Sequence, residues 1–200
     1  MTDFWNNRYS VEEYAYGEEP NIYFKQKLDL LKPGKILLPA EGEGRNAVYA
    51  ATKGWDVTAI DSSAEGKSKA LSLGHRKSVD IKYIVSPLEE FSFPENAYDA
   101  VALIYGHFKS NLRKQIHSSI LKSLKVGGYL IIEVFSKEQL EYSSGGPKDS
   151  DMLNSLDDIR SDFEQLKITE LKETAIDLKE GQYHIGEAKV IRLFGTKSAM

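Results

Sequence analysis

The stretch KILLPAEGEGRNAVYAATKGWDVTAID, residues 35–61, decides the fold. KILLP is apolar almost throughout and reads as a buried strand, while the run from Arg45 to Lys53 is alanine-rich and helix-compatible. Gly54 supplies a stop, and WDVTAID reads as a second buried strand finishing on Asp61. The order is strand, glycine-bearing turn, helix, strand.

The pattern repeats outward. Upstream, NIYFKQKLDLLK places Phe24, Leu28 and Leu31 at helical spacing ahead of Pro33-Gly34, after a turn-rich opening. Downstream, a helix is expected from Ser63 to Leu73 with Gly74 as its stop, followed by the strands IKYIV and YDAVALIY. Leu112, Ile116, Ile120 and Leu124 mark one face of a further helix, closed by Gly127-Gly128 before the strand YLIIEVF. Strands that are apolar along their length and alternate with helices imply a parallel sheet covered on both faces. Beyond Phe135 come a glycine-rich loop, a helix marked by Leu156, Ile159, Phe163 and Leu166, and the strand-like runs ITELKETAID and AKVIRLFGTK. The link EGQYHIGE between those runs is short and suits an antiparallel hairpin. The expectation is an α/β, Rossmann-like three-layer sandwich: a mostly parallel seven-stranded sheet with the last strand antiparallel, in one domain over residues 1–200.

The 200 residues, 41% of them hydrophobic, suffice for one well-buried core. A net charge of −4 gives no strong attraction to phosphate backbones or anionic lipid, so neither nucleic acid nor membrane is expected as a partner. The basic run His75-Arg76-Lys77, with Lys67 and Lys69, reads as a solvated rim. Cysteine is absent, which excludes disulfides and a thiolate nucleophile. The opening MTDFWNNRYS lacks a signal peptide's apolar core, and no apolar run approaches the roughly 20 residues of a membrane span. A cytoplasmic protein with a small-molecule ligand is the expectation, and the oligomeric state stays open.

In open α/β sheets ligands bind beyond the carboxyl ends of the strands, which points to the turn at residues 39–46. Gly42 and Gly44 are expected to let backbone approach the ligand, and Asp61, followed by Ser62, stands where a carboxylate accepts hydrogen bonds from ribose hydroxyls. Asp61-Ser62 also reads as a helix N-cap. Glu41 and Glu43 flank the first glycine, and a pyrophosphate there would meet repulsion of ~1–4 kcal/mol per close pair. A sulfonium and an ammonium would be attracted instead.

GEGRNAVYAATKGWDVTAID, LKVGGYLIIEVF and the closing hairpin resemble the class I S-adenosylmethionine-dependent methyltransferases. The opening FWNNRY…YAYGEEP is similar to the tellurite-resistance and thiopurine/thiol methyltransferase branch. The resemblance implies S-adenosylmethionine as cofactor and a small-molecule methyl acceptor. Where that family often has an acidic residue at the end of the first strand this chain has Leu38, and Ala40 replaces the first glycine of the turn. Glu41 then either supplies the missing carboxylate to the methionine ammonium or complements the helix dipole. Asn46 belongs to the same turn, and Ser86-Pro87-Leu88 stands at the adenine slot, with Leu88 against the ring or Pro87 simply ending the strand.

Methyl transfer needs alignment, water exclusion and sometimes a base. Tyr105 and His107, after the fourth strand, are the polar candidates, His107 as base or as positioning group. Residues 1–20 carry Phe4, Trp5, Tyr9, Tyr14 and Tyr16 and read either as a lid, with Trp5, Tyr9 and Tyr16 facing the site, or as packing against the next helix. Tyr183 and His184 either reach the acceptor or sit in a solvated turn. The four histidines lack paired ligand spacing, so no metal is expected. An NAD(P)-dependent oxidoreductase fits Gly42-x-Gly44-x-x-Ala47 with Asp61 in part, and a non-catalytic S-adenosylmethionine-binding module is the other alternative.

Overall fold

The computed structural model describes residues 2–199. In chain order it contains α1 (Thr2–Tyr9), α2 (Ile22–Leu28), β1 (Lys35–Pro39), α3 (Arg45–Thr52), β2 (Asp56–Asp61), α4 (Ala64–Arg76) and β3 (Lys82–Val85). Then follow β4 (Tyr98–Ile104), α5 (Ser110–Ser123), β5 (Leu124–Phe135), α6 (Leu156–Asp162), β6 (Leu166–Glu180) and β7 (His184–Lys197). The seven strands form one sheet in the order β3-β2-β1-β4-β5-β7-β6. β1 to β5 are mutually parallel, and β7 runs antiparallel between β5 and β6. The sheet architecture expected from the sequence is therefore the one observed.

Alternation along the central strands splits the core between two layers. Leu37, Val101, Leu103, Leu130 and Ile132 pack with Ile116, Ile120, Ile159 and Phe163 of α5 and α6. Ile36, Leu38, Ala100, Ala102 and Ile131 face the other way, toward Phe24, Leu28, Ala47, Ala50 and Ala70 of α2, α3 and α4. Small side chains on that second face let α3 and α4 approach the sheet closely. Strand order reverses beside β1, whose neighbours are β2 and β4, so the loops after β1 and β4 open on either side of a cleft.

Several boundaries differ from expectation, each for a local reason. The opening is turn-rich only from residue 10 on: residues 2–9 form α1, whose Asn6 side chain accepts from Ser63 Oγ and from the Ala64 amide at the start of α4. α2 ends at Leu28 and leaves Leu30 74% exposed. Gly74 lies within α4, where a Cβ would stand 2.9 Å from the Val79 carbonyl oxygen; the left-handed residue beyond the helix is Ser78, at φ 57°. Gly127 and Gly128 belong to β5, which follows α5 directly and shifts register against β4 there. β6 and β7 extend to a direct Glu180–His184 pair, leaving only residues 181–183 as the link.

Candidate active site

α3 begins at Gly44, at φ 87°, which has no side chain to cap it. Glu41 does so instead: the Ala47 amide donates to Glu41 Oε1 at 2.6 Å. The carboxylate thus sits on the free amides that a helix N-terminus would offer a bound anion. Burial pushes the Glu41 carboxyl up to about 7, while the Ala47 amide and the nearby Arg45 favour its ionised form. Glu43 also lines the cleft but is held toward the N-terminal segment and α4. Its Oε2 accepts from the Ala15 amide (2.8 Å) and its Oε1 pairs with Lys69 Nζ (2.6 Å), so its charge is neutralised locally. Asp61 accepts from the Gly42 amide (3.0 Å) and the Ser63 amide (2.9 Å), and burial raises its proton affinity as well.

The cleft lies over these groups. Glu41, Asn46, Asp61, Ser62 and Leu88 line it from the strand ends, Tyr105 and His107 from the loop after β4, and Trp5 and Tyr16 from above. Gly42 and Gly44 do not line it. A Cβ on Gly42 would meet the Tyr9 hydroxyl at 2.6 Å, and one on Gly44 would meet Ala70 Cβ at 2.4 Å. The glycines make room for α1 and α4 rather than for a ligand, which corrects the expectation. Ala40 and Tyr105, at the ends of β1 and β4, hold φ of 55° and 53°. Strained backbone on both sides of the switch point is held in place by the packed sheet beneath it.

Behind the lining lies a charged network that sequence reading did not assemble. Glu133, with no solvent exposure, accepts from Asn21 Nδ2 (2.6 Å), the Tyr105 hydroxyl (2.7 Å) and Arg192 Nε (2.6 Å). Asn21 also reaches Glu180, whose Oε2 takes Arg45 Nη2 (2.9 Å) and lies 3.0 Å from His184 Nδ1. Burial opposes the Glu180 charge, but His184 and Arg45 hold the carboxyl down at about 2. An ionised Glu180 only accepts, so His184 carries its proton on Nδ1 and leaves Nε2 as a bare acceptor.

His184 and His107 therefore differ in kind. His184 is 3% exposed, is lowered by burial and raised in part by Glu180, and its ring lines the cleft. It is no solvated turn residue. His107 lies near-parallel to Trp5 (centroids 6.4 Å apart) and Phe135 (5.9 Å), and burial depresses it to about 3 with no carboxylate to offset this. That setting suits a wall and disfavours a base.

α1 and residues 10–20 close the cleft from above. Lys69 donates to the carbonyls of Val11 and Glu13, Tyr14 donates to the Lys69 carbonyl, and Arg76 pairs with Glu18. Lys69 and Arg76, read from the sequence as a free rim, are tethers. Trp5 stacks on Tyr9 with centroids 5.5 Å apart. So covered, the cleft holds about 200 Å³. Typical small-molecule pockets hold ~300–1,000 Å³.

Residues 37–132 match the family model described as "Methyltransferase domain". The match runs from β1 into β5, the parallel part of the sheet that carries Glu41, Asp61 and Tyr105. A demethylmenaquinone methyltransferase from Renibacterium salmoninarum is 32% identical over 105 residues, 52% of this chain and 43% of that protein. The chain thus spans less than half the length of that curated relative. TehB from Haemophilus influenzae superimposes with a TM-score of 0.75 over 98% of this chain and 67% of that one, at 15% identity. A structure from work on the conversion of a disulfide bond into a thioacetal group during echinomycin biosynthesis gives 0.80 over 99% and 92%, at 16% identity. At such identities the likeness is one of fold. The family match and the curated relative support the methyltransferase class and adenosyl donor expected from the sequence. No helix among the described residues is long and apolar enough to cross a membrane.

Glu41 has a folded-state affinity for its proton above its unfolded one. Its protonation favours folding fully below the ordinary value of 4.5, and that contribution is lost as pH rises through about 7. Glu41→Gln keeps an acceptor for Ala47 but does not titrate. Urea unfolding at pH 5 and pH 8 should show the variant gaining on the order of 3 kcal/mol relative to the parent across that interval; parallel curves would mean that Glu41 is not perturbed.

Proposed function

We propose that this chain transfers the methyl group of S-adenosylmethionine to a small-molecule nucleophile. The observation that carries the reading is the Glu41 carboxylate on the Ala47 amide. A dinucleotide needs that helix N-terminus for its pyrophosphate, and here an internal anion fills it. An adenosyl sulfonium with an ammonium group compensates buried carboxylates instead of repelling them.

When bound, the cofactor supplies a methyl group already activated on a sulfonium. Asp61 uses two lone pairs on backbone amides and has others for ribose hydroxyls. Leu88 and Ser62 flank the adenine side of the cleft, and Asn46, Glu41 and Tyr105 line the region for the methionine end. Trp5 and Tyr16 exclude water and offer π-faces to a cation. His107 positions the acceptor. His184 takes the proton of an acceptor that arrives protonated, because its Nε2 is bare and Glu180 stabilises the charge that forms on the ring.

The opening FWNNRY…YAYGEEP carries the finer assignment to the tellurite-resistance and thiopurine/thiol branch, and TehB shares the fold over nearly the whole chain. Acceptor choice rests with α1 and the β6–β7 hairpin, outside the matched residues 37–132. Residues 1–20 act as a lid: α1 lifts to admit an adenosyl ligand to the narrow cleft and settles again over it, with Trp5 and Tyr16 against the ligand.

Calorimetry should give binding heat with S-adenosylhomocysteine and none with NADH; the reverse would overturn the reading. At saturating donor, His184→Gln should lower kcat about 10²–10⁴-fold on an acceptor protonated at the assay pH and far less on one already ionised. The parent's acid limb should fall below the ordinary histidine value of 6.5, because burial lowers His184. His107→Ala should leave the shape of that profile unchanged. Limited proteolysis within residues 10–20 should slow when S-adenosylhomocysteine is added, and equal rates would exclude the lid.

A further inference from the structure

A second chamber, of about 610 Å³, lies behind the first. Trp5, Tyr16, His107 and His184 line both, so these four rings form the partition between them. On the far side stand Phe4, Tyr183, Pro147 and Met152, an apolar and largely aromatic wall that is partly open to solvent. Its charges are of one sign. Arg8 and Lys148 line it, and no Asp or Glu does so among the described residues.

Arg8 is the unusual group. Its guanidinium carbon lies 3.8 Å from the Tyr183 ring centroid and 5.1 Å from that of Phe4, and Nη1 donates to the Tyr16 hydroxyl at 3.3 Å. No carboxylate pairs with it among the described residues, although every other arginine of the chain has one: Arg45, Arg76, Arg113, Arg160 and Arg192. A guanidinium stacked on a ring keeps its edge N–H donors available, and those donors match a carboxylate or similar anion in two-point geometry. Lys148 adds positive charge while donating to the Tyr142 carbonyl.

We propose that this second chamber is the methyl-acceptor site and that it selects flat aromatic molecules bearing an anionic group, which Arg8 binds edge-on while the surrounding rings hold the aromatic body. As an acceptor assignment this rests on the methyltransferase reading; as a statement about ligand selectivity it does not. The partition places the acceptor's nucleophile beside His107 and His184, with its anionic group at Arg8, next to Tyr16.

Equilibrium dialysis with 1-naphthoate and 1-naphthamide tests the selectivity, since the two differ mainly in charge. In the presence of saturating S-adenosylhomocysteine, the naphthoate should bind at least tenfold more tightly. Arg8→Gln should abolish the preference and Arg8→Lys should restore part of it. Equal affinities in the unaltered protein, no binding of either compound at millimolar concentration, or a preference that survives Arg8→Gln would each overturn the proposal. The comparison in the unaltered protein decides the matter even if the variants do not fold. Preference for naphthoate without any S-adenosylhomocysteine binding would overturn the acceptor role while leaving the anion selectivity standing.

Discussion

The charge of the ligand follows from one hydrogen bond, the Ala47 amide to Glu41. Folds with a strand, a glycine-bearing turn and a helix commonly offer the helix N-terminus to phosphate. Here the turn folds its own carboxylate onto that position. An anion held there internally cannot be displaced by an external one without leaving a buried carboxylate unpaired, which costs several kcal/mol. The same carboxylate makes the cleft electrostatically incomplete without a cation, because it and Asp61 are both buried with raised proton affinity. Cofactor class is thereby set by the backbone geometry of residues 40–47 as much as by any contact surface.

Around that turn, a polar network joins elements far apart in sequence. Glu133 from β5, Arg192 from β7, Asn21 before α2, and Glu180 with His184 from the hairpin converge beneath Tyr105. Buried charges of this kind stabilise only as a complete set, since removal of one partner leaves another uncompensated. Completeness fixes the hairpin tip and the N-terminal segment against the sheet. The Gln182 amide donates to the Ala15 carbonyl, and Gly181 lies so close to Tyr16 and Gly17 that any Cβ would collide. Lid and hairpin thus meet each other as well as the cleft.

Much of the fold was legible because parallel strands covered on both faces are apolar along their whole length, and KILLP, WDVTAID and YLIIEVF show it plainly. Asp61, Leu88 and Tyr105 line the cleft for the same reason: each ends or follows such a strand. What escaped depended on contacts between distant segments. Gly42 and Gly44 were read by motif as ligand-facing, whereas their missing side chains serve Tyr9 and Ala70. α1 carries Asn, Arg and Asp among its aromatics and gives no clear apolar stripe, so nothing local marked it as a helix. His184 resembled a turn residue because the hairpin strands are rich in Lys and Glu, as an edge strand's exposed positions require. Glu180 four residues earlier was the available signal, but pairing across a hairpin depends on register, which the link length alone did not fix.

The distribution of these features divides the molecule by task. The donor half is the parallel sheet from β1 to β5, whose small buried residues and short turns leave little freedom to change without losing packing. The other half consists of α1, residues 10–20, the loop around Gly145 and the β6–β7 hairpin. Apart from β7, whose Val190, Ile191 and Leu193 are buried in the core, these join the sheet through edge pairing, side-chain tethers and aromatic contacts, which tolerate substitution better than a close-packed core. A scaffold arranged this way can keep its chemistry while its acceptor changes, because Trp5, Tyr16, His107 and His184 mark the boundary between the halves. Structures that share nearly the entire fold at 15–16% identity show that the geometry of the parallel sheet survives wide change of sequence.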